Sequence, residues 1–328
     1  MHKIKIALLT GGDSSEYEIS LKSAEEIRSH LDESLYSVFL IYVRDNEWCY
    51  RSEGRTIMVD KNDFSLLLGA KRVRFDLVFM AIHGTPGEDG KLQSYFEMLG
   101  IPFTSCNSFT ASLTFNKYFC VNVVRSIGVK CAPGVILYAH QSLDEKAILA
   151  VTGLPCFVKP NKGGSSVGMS KVTEAHALAR AVQRAFEEDD EVLVESFIGG
   201  REFTCGVYRE GSTLRILPLV EIVTRKDFFD FEAKYDPSLT REIVSPSIGN
   251  NLEVKIKETS ALLYERLHCA GIVRFDYIVD ANDEVWFLEV NTVPGMTKES
   301  LVPKMIRESG ISMKTFYTSL VNHTLSNP

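Results

Sequence analysis

Two carboxylates and an amide side chain in the last fifth of the sequence could together bind a metal ion. Two runs of β-forming residues, 273–279 and 284–290, flank the turn-like stretch Asp-Ala-Asn-Asp and predict a hairpin. With a two- or four-residue loop, alternation along the strands brings four polar residues to one face: Arg274, Asp276, Glu289 and Asn291. Carboxylate and amide oxygens suit Mg²⁺, which takes its other ligands from water and phosphate.

The register of this hairpin decides whether the four side chains meet. In the predicted register residue 276 lies opposite 287 and residue 274 opposite 289, and Phe287 shares the polar face. The alternative is a surface hairpin in which Arg274 and Glu289 form a cross-strand ion pair. A three-residue loop would turn one strand over and abolish the shared face. Other segments must therefore support the metal site.

The composition of the 328 residues is that of an ordinary globular chain, with 45% apolar and 24% charged residues. The net charge of −7 and the absence of a long Lys/Arg tract argue against nucleic acid or an anionic membrane as a partner. Seven scattered cysteines, an odd number, argue against a disulfide framework. No signal peptide or membrane-spanning run is recognised. We therefore expect a cytoplasmic protein of two or three domains.

The first hundred residues alternate apolar strands with helices, which is typical of a parallel α/β sheet. Strands are predicted at 4–9, 38–43, 76–82 and 101–104. Such sheets bind ligands beyond the carboxyl ends of their strands, and Glu18 and His83 follow two of these ends. Each residue also has a structural explanation, Glu18 as a charge at a helix N-terminus and His83 as a loop histidine.

A lysine at the end of a predicted strand precedes a loop rich in glycine and serine. The strand covers 156–160 and contains Lys159, and residues 163–168 read Gly-Gly-Ser-Ser-Val-Gly. Glycines let backbone amides approach phosphate oxygens closely, although a flexible surface turn has a similar composition. The pattern is not the G-x-x-x-x-G-K-[ST] of P-loop proteins, because the lysine precedes the loop on a strand.

Residues 224–247 are polar and aromatic without a clear period, and they are predicted to form a long loop. Loops of this length in compact domains often act as lids over active sites. This one carries Lys234 and Tyr235. With Lys117 and Lys159, Lys234 completes a set of cations that suits a nucleoside triphosphate bound with Mg²⁺.

Several motifs together resemble the ATP-grasp ligases and, more narrowly, the D-alanine–D-alanine ligase family. The motifs are GGDSSEYEISL, AIHGTPGEDGKLQ, FVKPNKGGSSVGMSKV, VLVESFIGGREF, FFDFEAKYDP, RFDYIVD and FLEVNTVPGMTKESLVP. The resemblance implies an α/β fold of three domains. An N-terminal parallel-sheet domain covers 1–104 and a central ATP-grasp subdomain covers 105–197. A C-terminal subdomain, 198–328, carries the lid at 224–247 and the metal hairpin at 272–291.

The reaction implied by the resemblance has two steps. The carboxylate of one D-alanine attacks the γ-phosphate of ATP to form an acyl phosphate, and the amine of a second D-alanine then displaces phosphate. The resemblance also implies peptidoglycan precursor synthesis and a homodimer. No base for the second amine is recognised in the sequence.

The same resemblance assigns residues to the nucleotide and its metal. Two Mg²⁺ ions, or Mn²⁺, would be held by Asp276, Glu289 and Asn291, and Phe287 would contact ATP. The remaining ATP-binding residues would be Lys117 and Lys159 at the phosphates, Ser165 and Ser166 in the Gly/Ser loop, Glu195, Ser196, Phe197 and Ile198 at the adenine, Glu202 at the ribose, and Lys234 at the γ-phosphate.

For the amino acids, the resemblance places Glu18 at the ammonium group of the first D-alanine, with His83 nearby. Arg274 and the amide of Gly295 would form an oxyanion hole. The carboxylate of the second D-alanine would be held by Ser300 and the amide of Leu301. Ser165 and the lid residues Lys234 and Tyr235 would complete the catalytic set.

The nearest alternative is a D-alanine–D-lactate ligase, which forms an ester, but Tyr235 after Lys234 matches the dipeptide-forming pattern. Other ATP-grasp ligases and a non-catalytic nucleotide-binding protein of the same fold are further alternatives. The non-catalytic protein would have lost Arg274, Lys234 or a metal ligand, and all of these are present. One departure from the family pattern is Asn116, where relatives often carry Asp.

Overall fold

The computed structural model describes residues 3–164, 167–224 and 240–327. Its strands are β1 Ile4–Gly11, β2 Tyr36–Arg44, β3 Glu47–Ser52, β4 Arg55–Asp60, β5 Ser65–Leu68, β6 Lys71–Val73, β7 Leu77–Met80, β8 Lys130–Cys131, β9 Gly134–Tyr138, β10 Cys156–Pro160, β11 Ser170–Val172, β12 Glu191–Ser196, β13 Arg201–Glu210, β14 Thr213–Ile216, β15 Val220–Thr224, β16 Thr240–Val244, β17 Ile272–Val279 and β18 Val285–Asn291. Its α-helices are α1 Tyr17–His30, α2 Lys91–Leu99, α3 Ser108–Phe115, α4 Lys117–Ser126, α5 Glu145–Thr152, α6 Leu178–Phe186, α7 Asn250–Arg266, α8 Leu301–Glu308 and α9 Met313–Ser326. None of these helices is long and apolar enough to cross a membrane.

Within the described residues the strands form three sheets. The first has the order β6-β5-β4-β3-β2-β1-β7, and the second has the order β11-β10-β12-β9. The third has the order β16-β15-β13-β17-β18-β8, with β14 paired to β13. Helices cover these sheets, so the fold is of the mixed α/β class that the sequence predicts.

The first sheet is parallel only around β1. β1 runs parallel to β2 and β7, as predicted, but residues 47–73 add an antiparallel meander that the sequence pattern did not predict. Its tight turns contain residues with positive φ, 48° at Asp45 and 51° at Glu53, as two-residue hairpin loops require. The strand predicted at 101–104 is reduced to a single bridge between Val78 and Phe103.

The second sheet is a small antiparallel layer that presents β10 and β12 side by side. β10 occupies 156–160, as predicted, and pairs antiparallel with β12. One face of α6 is buried against it, with Leu178, Ala181, Val182 and Ala185 at helical spacing. This layer fixes the positions of Lys159 and Glu195 on neighbouring strands.

Residues 109–128, which the sequence predicts as one helix containing Lys117, form two helices that meet at Asn116. Asn116 has an extended backbone, with φ −85° and ψ 101°, and its side chain accepts a hydrogen bond from the Phe119 amide, so it caps α4. Cys120 and Val124 of α4 pack into the core of the third sheet. Residues 105–131 therefore pack on the C-terminal layer, although the sequence assigned them to the central subdomain.

Part of the segment predicted as a lid is a strand. β16 pairs antiparallel with β15 over residues 240–244, so the predicted loop 224–247 is regular structure near its end. Residues 225–239, which include Lys234 and Tyr235, lie outside the described residues.

The two ends of the chain share one hydrophobic core. Phe316 and Tyr317 of α9 pack in the same cluster as Leu8 of β1 and Tyr208 of β13. This core joins the first sheet to the third. As a result, the loops at the carboxyl ends of β1 and β7 lie beside the segment that follows β18.

Candidate active site

A cleft of about 1070 Å³ lies between the second and third sheets. Its walls include β10 and β12 from one sheet and β13, β15 and β18 from the other, and first-sheet loops around residues 13–16 and 84–91 border it as well. Many of the residues predicted to bind ATP or metal line it: Lys117, Lys159, Glu195, Ser196, Phe197, Ile198, Glu202, Phe287 and Glu289. The cleft is large enough for a nucleotide-sized ligand.

The hairpin of β17 and β18 brings the four predicted polar residues to one face, but in a different register. Asp276 lies opposite Glu289 and Arg274 opposite Asn291, whereas the prediction paired 276 with 287 and 274 with 289. The loop spans 280–284, and the ladder is irregular between Asp276 and Tyr277. This bulge inserts one extra residue in β18 and re-aims the side chains beyond it. The shared face therefore survives an error in the predicted pairing.

The bulge also changes the position of Phe287. It lies opposite Tyr277 rather than residue 276, and the two rings pack edge to face with centroids 6.3 Å apart. Phe287 is buried in the core of the third sheet and still borders the cleft. The prediction that Phe287 shares the metal-binding face is wrong, because strict alternation does not hold across a bulge.

Asp276 is the centre of a buried hydrogen-bond network. Arg274 donates from Nε to Oδ1 at 2.9 Å and from Nη2 to Oδ2 at 2.8 Å. Thr204 donates its hydroxyl at 2.5 Å, and Asn291 donates Nδ2 at 3.0 Å. Burial by itself lowers the pKa of Arg274, but the Asp276 carboxylate outweighs it, and the net pKa lies above the usual value. Arg274 is thus held charged and fixed in orientation.

The donor set on this face fits a hard cation. Residues 3–164, 167–224 and 240–327 contain no group of three His, Cys, Asp or Glu side chains placed to hold a metal. A cation held by the carboxylates of Asp276 and Glu289 would complete its ligands with the Asn291 amide oxygen and with oxygens from substrate or water. That is the usual composition of a Mg²⁺ site at a phosphate. Asn291 uses Nδ2 toward Asp276, which leaves its Oδ1 as the acceptor end.

Two lysines border the cleft from the other side. Lys117 opens α4 and donates from Nζ to the carbonyl of Gly163 at 2.6 Å. Lys159 forms a buried ion pair with Glu195, with Nζ and Oε1 2.6 Å apart. The predicted roles, Lys159 at the phosphates and Glu195 at the adenine, therefore belong to side chains that touch each other.

The predicted adenine site is lined by aromatic rings, and two of its backbone amides already donate hydrogen bonds within the protein. The rings of Phe157 and Phe197 lie 5.8 Å apart and both line the cleft. The Ser196 and Phe197 amides donate to the carbonyls of Pro133 and Pro155, so they serve the protein backbone. Recognition of a flat base by these residues would therefore depend on Glu195 and the rings.

Glu202 lies next to an ion pair that the sequence reasoning missed. Arg201 donates to both carboxylate oxygens of Glu221, at 2.7 and 2.8 Å, and all three residues line the cleft. The pair joins β13 to β15 across the sheet. A contact between Arg201 on β13 and Glu221 on the neighbouring strand β15 leaves no pattern in the sequence, because it depends on the register of the third sheet.

Of the two glutamates in the motif GGDSSEYEISL, Glu16 lines the cleft and the predicted Glu18 does not. Glu18 is exposed in the first turn of α1, whereas Glu16 precedes the helix and lines the cleft. A methyl group on Gly164 would come within 2.6 Å of Glu16 Oε2, so the Gly/Ser loop lies against this carboxylate. Starting the helix at Tyr17 would have separated the two glutamates.

His83 is buried and both of its ring nitrogens have protein partners. Nδ1 lies 2.8 Å from the Val293 carbonyl, and Nε2 lies 2.9 Å from the Ser23 hydroxyl. Burial lowers the pKa of His83 against the opposing effect of Glu16. The predicted contact of His83 with substrate is therefore not supported, because its polar atoms are used inside the protein.

Glu88 is a further residue that the sequence reasoning missed. Its two oxygens accept from the amides of Gly84, at 2.7 Å, and Val293, at 3.3 Å. Burial and the nearby Glu16 carboxylate raise the pKa of Glu88 to about 7. The residue lies within the motif AIHGTPGEDGKLQ, where it could have been singled out as a carboxylate close behind His83.

Gly295, Ser300 and Leu301 lie together where the chain leaves the hairpin. A side-chain carbon on Gly295 would come within 2.9 Å of Ser300 Oγ. Ser300 accepts from the Thr297 amide at 3.1 Å and precedes Leu301, the first residue of α8. A helix N-terminus directs free amides and a partial positive charge at an anion.

The predicted residues Ser165, Ser166, Lys234 and Tyr235 lie outside the described residues.

Comparisons with known proteins agree with this arrangement. Family models described as D-ala D-ala ligase N-terminus and D-ala D-ala ligase C-terminus match residues 5–106 and 123–322. A D-alanine--D-alanine ligase of Azobacteroides pseudotrichonymphae is 43% identical over 318 residues, covering 96% of this chain and 98% of that protein.

Solved structures show the same similarity. The D-alanyl-alanine synthetase A of Vibrio cholerae has a TM-score of 0.89 at 28% identity and covers 100% of both chains. The VanG D-Ala:D-Ser ligase of Enterococcus faecalis has a TM-score of 0.86 at 30% identity, covering 98% of this chain and 100% of that one. The fold is therefore that of the ATP-grasp ligases. Within that class, the chain belongs to the D-alanine–D-alanine ligase family.

Proposed function

We propose that the protein joins two D-alanine molecules into D-alanyl-D-alanine, driven by the cleavage of ATP to ADP and phosphate. The observation that carries this proposal is the cleft, which Lys117, Lys159, Gly163 and Gly164 line together with Glu289 of the hairpin of β17 and β18. Membership of the D-alanine–D-alanine ligase family supports the same activity. The dipeptide would serve peptidoglycan precursor synthesis.

In the first step, a carboxylate oxygen of one D-alanine bonds to the γ-phosphorus of ATP, and ADP leaves. Lys117 and Lys159 offset phosphate charge in the cleft. Glu16, rather than Glu18, provides the carboxylate that can pair with the ammonium group of the amino acid. Holding both reactants in one cleft removes much of the entropic barrier.

In the second step, the amine of another D-alanine attacks the acyl carbon, and phosphate leaves with its bridging oxygen. Arg274 and the amide of Gly295 would stabilise the negative charge on the tetrahedral oxygen. Asp276 fixes the guanidinium through Nε and Nη2. The carboxylate of this second amino acid would lie at the N-terminus of α8, beside Ser300 and Leu301.

Asp276, Glu289 and Asn291 would hold two Mg²⁺ ions, or Mn²⁺. Bound there, the cations would neutralise phosphate oxygens as charge shifts to ADP. The Asp276 network fixes one carboxylate of this set in advance. Lys234 and Tyr235 are proposed to close over the nucleotide, where excluding water would protect the acyl phosphate from hydrolysis.

The proposal is tested by identifying the product formed from Mg·ATP and different nucleophiles. D-alanine alone should give phosphate and the dipeptide in equal amounts. D-alanine with D-serine or D-lactate tests the alternatives, since a similar fold is found in a D-Ala:D-Ser ligase. A mixed dipeptide or an ester as the main product at neutral pH would overturn the assignment of the second substrate. No phosphate with any of them would overturn the ligase activity.

A further inference from the structure

The turn that carries Gly295 is held by side chains from the opposite end of the chain. It follows β18 and runs from Val293 to Met296, and its backbone is bound by three residues of the first layer: Ser23 of α1, and His83 and Glu88 after β7. The contacts join residues more than 200 positions apart. We call this set of three side chains the turn clamp.

The hydrogen bond from His83 to Val293 fixes which group donates in the bonds that Ser23 makes. The Val293 carbonyl can only accept, so His83 must carry its proton on Nδ1 and donate it across 2.8 Å. In the neutral ring Nε2 is then an acceptor, and the Ser23 hydroxyl donates to it across 2.9 Å. The same Ser23 oxygen accepts from the Met296 amide at 3.2 Å. One buried relay therefore fixes both ends of the turn.

Glu88 binds the other backbone polar group of Val293, its amide. Val293 donates its amide to Glu88 at 3.3 Å while its carbonyl accepts from His83 at 2.8 Å. The other Glu88 oxygen accepts from the Gly84 amide at 2.7 Å, which ties the carboxylate back to the loop of His83. Val293 is thus held through both of its backbone polar groups. Pro294 follows it and restricts the backbone at the next position.

We propose that His83, Ser23 and Glu88 are positioning residues that hold the 293–296 turn, and with it the Gly295 amide, in place for the second step. This inference rests on the proposed function, because it gives the turn a role in the ligation. It also replaces the predicted contact of His83 with substrate by an indirect role. The clamp makes the oxyanion site depend on contact between the first layer and the C-terminal layer.

Two substitutions of His83 separate the two bonds of its ring. In His83→Asn the amide nitrogen takes the position of Nδ1 and can still donate to Val293. In His83→Gln the longer side chain reaches toward Ser23 and loses the Val293 bond. We expect kcat to fall on the order of tenfold or more in His83→Gln, since small displacements of a catalytic group are costly. His83→Asn should keep most of the kcat, and the KM for ATP should change little in both.

Ser23→Ala provides a second test, and Ser65→Ala is its control. Ser23 and Ser65 are both buried serines, but Ser65 lies on β5, in the antiparallel part of the first sheet. Ser23→Ala leaves the Met296 amide without its acceptor, so kcat should fall while the KM for ATP is kept. Ser65→Ala should lose stability without loss of kcat per folded molecule, as measured with thermal unfolding on the same samples.

The outcomes distinguish the clamp from its alternatives. Equal loss of kcat in His83→Asn and His83→Gln would overturn the clamp, as would a raised KM for D-alanine at unchanged kcat, which marks a substrate ligand. Lower stability with normal kcat in Ser23→Ala would also overturn it. The wild-type protein in the same assay separates the two proposals. If the wild-type protein forms no dipeptide, the proposed function is overturned. If the wild-type protein turns over normally and a variant gives any of the three results above, the clamp alone is overturned.

Discussion

Among single residues, Glu16 and Glu18 lie two positions apart, and only Glu16 lines the cleft. The motif GGDSSEYEISL contains Glu16 and Glu18, and the family resemblance was taken to assign the substrate role to Glu18. The structure begins α1 at Tyr17, which leaves Glu16 at the cleft and Glu18 exposed. The resemblance identified the motif, and the structure shows which of its two glutamates, two positions apart, lines the cleft.

The two glutamates form a matched pair for mutagenesis. Glu16→Gln should lower kcat/KM for D-alanine by roughly tenfold to a hundredfold, the size of one lost charged hydrogen bond. Glu18→Gln should leave kcat/KM within about twofold and cost only the small stabilisation of an acidic residue in a first helical turn. Steady-state release of ADP measures both. The reverse ranking would restore the original prediction.

Glu88 predicts a pH dependence of stability. Its pKa rises from 4.5 to about 7 on folding, so the folded protein binds the proton more tightly than the unfolded chain. The stability that this group contributes is then fully present below pH 4.5 and is lost as pH rises to 7. The carboxyl is only partly buried, so the loss is at most about 3 kcal/mol.

Glu88→Gln removes this titration. The difference in unfolding free energy between wild type and variant should therefore change across this pH range, with the wild type losing stability relative to the variant as pH rises. Denaturant unfolding at several pH values measures it. A constant difference would show that Glu88 has a normal pKa in the folded protein.

At the scale of elements, the break between α3 and α4 shows why the sequence was only partly sufficient. The sequence predicted one helix over 109–128, and the cap at Asn116 divides it. Asn116 Nδ2 also donates to Glu191 at 3.2 Å, and Asn161 donates to the same oxygen at 2.6 Å. Glu191 thus joins the start of α4, and with it Lys117, to β12. This contact could not be read from the sequence.

The Asn116–Glu191 contact depends on the side-chain amide of Asn116 as its donor. Asn116→Asp would set two carboxylates against each other and remove a donor, so stability should fall by about 1 to 2 kcal/mol and the KM for ATP should rise through Lys117. Asn116→Asp with Glu191→Gln restores a donor and should recover most of both. A double-mutant cycle measures the coupling. Additive effects of the two substitutions would show that the contact has no energetic weight.

The hairpin is a second case at this scale. Its two strands and the sharing of one face by the four polar residues were predicted, and the structure confirms both. The register and the position of Phe287 were wrong because a bulge is not visible in a period-two pattern. The loop has five residues, so the pairing next to it has the opposite parity to the prediction, and the bulge restores the shared face beyond it.

At the scale of the whole molecule, the sequence predicted the fold class through family motifs but not the contacts between layers. The antiparallel meander at 47–73, the packing of 105–131 on the third sheet and the turn clamp all depend on tertiary placement. Lys159 comes from the second sheet and Glu289 from the third, and only the fold brings both side chains to the same cleft. The kinds of chemical group in the site were predictable from residue types, whereas the contacts between these groups were not.

The most direct test of the account uses D-alanine labelled with ¹⁸O in its carboxylate. If the carboxylate attacks the γ-phosphate and the acyl carbon is then attacked by an amine, the bridging oxygen leaves with phosphate. Mass spectrometry of the phosphate released with Mg·ATP should therefore show one ¹⁸O per phosphate, alongside the dipeptide. Unlabelled phosphate would mean that water, not the carboxylate, cleaves ATP, and would contradict the ligase mechanism assigned to this cleft.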